Sequence, residues 1–263
     1  MPIAPATDTA VAEIELWLDA EEAAYQSAFL AWADGGWEGD KPVRGFRCNW
    51  DSVKRGWREG RSRLDVLSLD GETIGFLDGM DILEVRPDLR GRGHGRLLAQ
   101  FMVDLAREEG LSIIEIEIAP VSAEPFWRHM GFTVFPGRTG SGGGIYAYLP
   151  LPRTHVLGNG KRVAYEIAFY TERGRYADEP TPFSRFEGGG ERLADDSIQL
   201  PERVVCFEPE NGQRGDCFVR VVLDGIEVYF DKCRRPESRT LGVQVDKSYI
   251  YFVDRLAGDR ISG

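Results

Sequence analysis

Residues 85–98 read VRPDLRGRGHGRLL, with glycines at 91, 93 and 95 set between arginines and an apolar helical pattern following at once. DILEV (81–85) ahead of them is strand-like and stops at Pro87. From Gly93 to Glu109, Leu97, Leu98, Phe101, Met102, Leu105 and Ala106 form one stripe of a helix that Gly110 can terminate. A strand, a tight glycine turn and a helix start make an anion site in physical terms. The first helical turn has unpaired N–H groups and the positive end of the helix dipole, and glycine lets a phosphate approach the backbone. Arg90, Arg92 and Arg96 add charge, so a diphosphate is the expected guest. The plainer alternative is a strand-to-helix turn that only needs flexible residues.

Working outward, the chain up to about residue 152 mixes helices and strands. DAEEAAYQSAFLAWA (19–33) and NWDSVKRGWREG (49–60) have helical spacing, and LDVLSLDGETIGFLDG (64–79) alternates around Asp70-Gly71, a tight-hairpin signal. SIIEIEIA (112–119) puts Ile114, Ile116 and Ile118 on one face and Glu115 and Glu117 on the other. A short helix through PFWRHM and two strands, FTVF and IYAYLPL, complete this part, with GRTGSGGG (137–144) between those strands, most simply a flexible loop. LPLPR (149–153) reads as a linker. Beyond it come five or six strands rich in Val, Ile, Phe and Tyr, with Asp224-Gly225 as a second hairpin signal. Two domains are therefore expected, 1–152 and 153–263, the second a small barrel or sandwich.

Composition narrows the class. The 263 residues carry a net charge of −11, which argues against a nucleic-acid binder that works through a broad basic surface. No apolar run reaches bilayer length and the first residues lack a secretory pattern, so a cytoplasmic protein is expected. Cys48, Cys206, Cys217 and Cys233 show no CxxC spacing and the chain has three histidines, so no metal site is expected and the thiols read as reduced and structural. Residues 1–40 hold nine acidic groups and no Lys or Arg, whereas 41–63 hold eight basic groups against Asp51 and Glu59. These segments either attract each other as helix faces or flank a binding cleft.

The glycine spacing fits neither a Walker loop nor the Rossmann fingerprint. Val85, Pro87, Arg90, Gly91, Gly93, Gly95 and Leu98 instead resemble the acetyl-CoA motif of the GCN5-related N-acetyltransferase (GNAT) superfamily, whose core is Q/R-x-x-G-x-G/A. The order of elements from about 10 to 150 is similar too, as is Phe126-Trp127-Arg128-His129-Met130-Gly131-Phe132 to the aromatic pair and Gly-Phe ending of the family's fourth helix. The resemblance implies an α/β (α+β) GNAT fold with a central, mixed, mostly antiparallel sheet, followed by the smaller all-β domain. It also implies an acetyl-CoA-dependent N-acetyltransferase whose acceptor is a primary amine of a small molecule or peptide, attacking the thioester directly. A homodimer is possible. Two strands would splay at the cofactor, with Leu83 and Val85 offering main-chain groups to the pantetheine and an N–H there acting as oxyanion donor. The amides of Arg90, Gly91, Arg92, Gly93, His94, Gly95 and Arg96 would wrap the pyrophosphate, and Phe126 and Trp127 would pack near the thioester or simply in the core.

The chemistry needs a base for the amine. Asp81 matches the position where many members carry Glu and is the first choice; Glu84, Glu115 and Glu117 are the alternatives. The family's usual acid, a Tyr four residues before the Gly of Gly-Phe, is Trp127 here, and indole gives up no proton at neutral pH. Tyr146, Tyr148, Ser122 and His129 are substitutes, or the thiolate leaves without an acid. Asp19, Glu21, Glu22 and Asp34 could attract a cationic amine. The rival expectation is a non-catalytic acyl-CoA sensor or interaction module that uses the β-domain to bind a partner.

Overall fold

The computed structural model describes residues 2–210 and 216–258. The chain divides into two compact units, 1–106 and 107–263.

The first unit runs β1 (Ile3–Pro5), α1 (Asp8–Asp34), α2 (Arg47–Arg58), β2 (Leu64–Leu69), β3 (Glu72–Asp78), β4 (Ile82–Val85) and α3 (His94–Glu108), whose last turn crosses into the second unit. α1 begins eleven residues before the predicted helix because Thr7 caps it, its hydroxyl accepting from Ala10 N–H at 3.2 Å. The four strands form one antiparallel sheet in the order β1-β2-β3-β4. At the β2–β3 turn Asp70 and Gly71 both have positive φ, 52° and 89°, as the two central residues of a type I′ hairpin require. Ala10, Val11, Ile14 and Leu18 of α1 pack with Trp50 and Val53 of α2 on Leu64, Val66 and Phe76 of the sheet. The acidic and basic segments do attract each other: Glu22 pairs with Arg44 at 2.7 Å, Asp19 with Arg47, and Glu15 with Lys54. In α3 the buried stripe is Leu98, Ala99, Met102, Val103, Leu105 and Ala106, and Leu97 is exposed. The helix ends as expected at Gly110, with φ +76°.

The second unit contains β5 (Ile113–Ile118), α4 (Glu124–His129), β6 (Thr133–Thr139) and β7 (Ile145–Pro150), the strands forming an antiparallel sheet in the order β5-β7-β6. β4 is an edge strand of the first unit's sheet, and β5 is an edge strand of the β5-β7-β6 sheet. After it come β8 (Arg162–Tyr170), α5 (Glu172–Arg175), β9 (Ser184–Arg192), β10 (Ile198–Val205), β11 (Phe218–Leu223), β12 (Ile226–Lys232), α6 (Pro236–Leu241), β13 (Gln244–Val245) and β14 (Tyr251–Leu256). Seven strands, against the five or six expected, make one curled half-barrel sheet in the order β12-β11-β8-β9-β10-β14-β13. The strand outside the Val-, Ile-, Phe- and Tyr-rich stretches is β9, SRFEGGGER, whose three consecutive glycines leave no β-pattern. Val163, Ile167, Phe169, Ile198, Leu200, Val219, Val221 and Val253 fill its concave core.

LPLPR is no free linker. Leu151 N–H donates to Ser112 O at 2.9 Å, Thr154 bridges to Glu202, and the buried Arg203 of β10 donates to Gly110 O at 2.8 Å. The Asp246 carboxylate accepts from Ser112 N–H at 2.9 Å. The β-rich segment is therefore fastened to the start of β5. Among the described residues no helix is long and apolar enough to cross a membrane.

Candidate active site

β4 supplies an unpaired sheet edge. Its register pairs Glu84 with Phe76 and Val85 with Gly75, and Arg86 N–H donates to Ile74 O at 2.8 Å. Main-chain groups alternate in direction along an antiparallel strand, so Ile82, Glu84 and Arg86 bond inward to β3 while Leu83 and Val85 present theirs to the open edge. One of these outward groups is occupied: Arg90 Nε donates to Val85 O at 2.9 Å. Among the described residues, Leu83 N–H, Leu83 C=O and Val85 N–H have no backbone partner.

The edge runs into the glycine turn. Gly91 and Gly93 have φ of +77° and +88°, and a Cβ at either would meet nothing within 4 Å. Their requirement is conformational, in open space. Arg96 and Leu97 N–H fold back to Gly93 O at 3.1 and 3.4 Å, whereas, among the described residues, the N–H groups of Gly91, Arg92, Gly93, His94 and Gly95 donate to no carbonyl. Five consecutive amides at the start of a 15-residue helix form a nest of positive potential. Arg92 and Arg96 stand exposed beside it, and His94 turns its ring into the protein, its Nδ1 buried without a partner.

The carboxylates take different places. Asp81 is exposed in the turn between β3 and β4, its N–H on Asp78 O at 3.2 Å. Glu84 is half-buried on the Phe76 face of β4, and its Oε2 lies 3.3 Å from Arg90 Nη2. Burial raises its pKa to about 7, against the lowering effect of Arg90; Glu21 nearby adds to the rise. Arg90 Nη2 also holds Glu21 Oε1 at 3.1 Å, while Glu21 Oε2 is buried without a partner. The sequence leaves open which acid of α1 is placed near the loop; Asp19 and Glu22 are occupied by α2-side bases and Glu21 is the one.

The second sheet carries another polar group. Tyr146 on β7, 3% exposed, donates its hydroxyl to Glu115 of β5, and Arg138 of β6 binds Glu115 at 2.9 Å with its guanidinium 3.9 Å above the Tyr146 ring. Burial, then the bond to Glu115, pushes the Tyr146 pKa far up, so it keeps its proton. Arg138 in this role carried no motif in the sequence. Glu117 is held apart: Gly142 and Gly144 N–H donate to its carboxylate at 2.8 and 2.7 Å and lower its pKa. GRTGSGGG is consequently a close-fitting cradle, since a Cβ at Gly142 or Gly144 would stand 2.7–2.8 Å from Glu117 atoms. On α4, Phe126 and Trp127 are half-buried, their rings 5.0 Å apart, with Trp127 also 5.1 Å from the buried Phe132. Ser122 and His129 are exposed.

An open strand edge, an amide-lined turn and a helix start in this order can receive an extended ligand that carries a diphosphate. Residues 26–132 match the model of the acetyltransferase (GNAT) family, and the chain carries a GNAT acetyltransferase domain there. That family generally draws its acyl group from acetyl-CoA and acts on amines. Similar solved structures include a GCN5-related N-acetyltransferase from Rhodopseudomonas palustris, 21% identical over 57% of this chain and 95% of that one, with a TM-score of 0.41. An acetyltransferase from Thermus thermophilus is 20% identical, covering 57% and 96%, with a TM-score of 0.38. A ribosomal-protein-alanine N-acetyltransferase from Brucella melitensis is 16% identical, covering 57% and 100%, with a TM-score of 0.38. No curated protein matches the chain.

Proposed function

We propose that this protein transfers an acetyl group from acetyl-CoA to a primary amine of a small molecule or peptide, the amine attacking the thioester directly. The observation that carries this reading is the continuity of the β4 edge with the nest of five undonated amides. Leu83 and Val85 would pair with the pantetheine, the amides from Gly91 to Gly95 would hold the pyrophosphate with Arg92 and Arg96 beside them, and Val85 N–H would polarise the acyl carbonyl. Arg90 serves from behind, fixing Val85 O and Glu84 together.

For the base we favour Glu84 over Asp81. A carboxylate with a pKa of about 7 accepts a proton at neutral pH more strongly than an ordinary one. Asp81 faces water. Tyr146 is poorly suited as acid because Glu115 holds its proton, so CoA leaves as the thiolate, a competent leaving group. Glu115, Tyr146 and Arg138 form a connected polar patch. We assign catalysis to residues 1–152 and treat 153–263 as a β-domain attached to it, in a protein of the cytoplasm.

Calorimetric binding of acetyl-CoA, and thiol release that requires both acetyl-CoA and an amine, test this reading. No heat of binding would end it. Trp127 in place of an acid, with Tyr146 locked, favours a second reading, a non-catalytic acyl-CoA-binding module. Binding without turnover on a broad panel of amines and peptides would select it.

A further inference from the structure

Three of the four cysteines converge in the core of the β-domain. Cys206 follows β10, Cys217 precedes β11 and Cys233 follows β12, each no more than 1% exposed. Cys217 Sγ lies 3.3 Å from Cys206 Sγ and 3.2 Å from Cys233 Sγ, and no disulfide joins them. Cys217 and Cys233 are opposite one another, one step beyond the Phe218–Lys232 pair of an antiparallel ladder, with Cys233 N–H on Cys217 O at 2.9 Å. Cα atoms of such a pair stand ~5.5 Å apart. That separation falls inside the range of about 4.4–6.8 Å that a disulfide spans. Two thiolates on one tetrahedral metal, with bonds of ~2.3 Å, would stand about 3.8 Å apart, so the trio is too tight for a metal as it stands. Among the described residues no group of three or more ligands is arranged to hold a metal ion.

We propose that Cys206, Cys217 and Cys233 form a two-electron thiol–disulfide site in which a small peroxide oxidises Cys217, Cys233 closes the disulfide, and Cys206 stands ready to exchange. The Cys217 thiolate attacks one peroxide oxygen, giving a sulfenic acid and, with a proton, water. The Cys233 sulfur then attacks the sulfenic sulfur, the S–O bond breaks, and the oxygen leaves as a second water. Two thiols and one hydrogen peroxide thus become one disulfide and two waters. Attack by Cys206 on the Cys217 sulfur would move the bond with no net oxidation. Contacts with Cys206 and then Cys233 pull the Cys217 pKa down, and burial pushes Cys233 up, which places the thiolate on the central sulfur. This inference is independent of the acetyltransferase reading.

The test uses the full chain with exposed Cys48 replaced by Ser. It is treated with hydrogen peroxide, quenched, unfolded, alkylated and mapped by non-reducing peptide mass spectrometry. A disulfide joining Cys217 to Cys233 or to Cys206, reversed by dithiothreitol, is expected. Recovery of all three alkylated thiols after oxidation would overturn the proposal, as would stoichiometric zinc in the purified protein with no disulfide formed. Cys217→Ser should abolish the bond, and a disulfide formed as readily without Cys217 also overturns it. Should that variant fail to fold, Cys206→Ser and Cys233→Ser each leave Cys217 one partner and should still oxidise; thiols recovered in both would count against the site.

Discussion

Glu84 Oε2 lies 3.3 Å from Arg90 Nη2, yet the carboxyl is held at a pKa of about 7. Burial outweighs the nearby cation, and Arg90 is also bonded to Val85 O and Glu21. A base must be ionised to accept a proton, so kcat/KM should rise with pH through about 7 and level above it. Glu84→Gln should lower kcat by about 10²–10⁴-fold, with Asp81→Asn much closer to the parent. A pH–rate profile of labelled acetyl transfer on the three proteins checks this, and a large loss confined to Asp81→Asn would move the base to the turn.

The same group makes a stability prediction. A carboxyl whose folded pKa exceeds its ordinary 4.5 contributes stability that is complete below that value and lost as pH rises through about 7. The difference corresponds to about 3 kcal/mol at most once Glu84 is fully ionised. Glu84→Gln should therefore melt higher than the parent at pH 8 and show little difference at pH 4. Calorimetric scans at the two pH values decide it.

Loss of cofactor binding can be separated from loss of fold at the glycine turn. Gly93 has a φ of +88°, where a branched side chain adds about 1–2 kcal/mol of strain, so Gly93→Val should weaken both stability and binding. Gly95 lies in the first turn of α3 and has no positive φ. Gly95→Asp places a negative charge in the nest and should abolish acetyl-CoA binding in calorimetry with little change in melting temperature. Unfolding by that change would instead give the glycines a purely structural role.

What was legible in the sequence was local. Asp70-Gly71 and Asp224-Gly225 fix their hairpins through positive φ at adjacent residues, and Gly91 and Gly93 mark the turn for the same reason. The Arg90–Glu21 pair joins residues 69 positions apart, so no spacing rule reaches it. β1 is three residues long and exists because it pairs with β2 more than sixty residues on. The 137–144 glycines look flexible in isolation, and only the presence of Glu117 beside Gly140, Gly142 and Gly144 turns small size into a fit. That Glu84 is largely buried and Asp81 exposed is a matter of packing, which alternation along a strand does not measure.

That cradle can be probed directly. A Cβ on Gly144 would stand 2.8 Å from Ile118 O as well as from Glu117, so Gly144→Ala forces backbone apart and should cost about 1–3 kcal/mol. Glu117→Ala removes the acceptor for two amides and should loosen the same β6–β7 turn. Hydrogen exchange at Gly142 and Gly144 should quicken in Glu117→Ala; unchanged protection would mean the turn is held by its own backbone bonds.

Arg203 is the clearest single support for the β-domain's attachment. Its side chain is 3% exposed, binds Asp254 through two bonds of 2.7 and 3.0 Å, donates to Gly110 O at 2.8 Å and lies 3.8 Å over the Phe252 ring. Removing one partner of a buried pair strands the other, so Arg203→Met should cost about 3–5 kcal/mol. In a unit of this size that is on the order of 10 °C in melting temperature. Lys cannot reproduce the fork and should rescue little. Burial pushes the Asp254 pKa up, but the bonds and charge of Arg203, helped by His155, overcome it and hold the carboxyl below its ordinary 3.8. Stability from the pair is therefore present above that value and lost as pH falls through the lower folded one. The gap between parent and Arg203→Met should be wide at pH 7 and narrow as pH falls below the ordinary 3.8 and Asp254 is protonated. A gap that stays constant with pH would assign the loss to the ring contact and the Gly110 bond, with the ion pair contributing little.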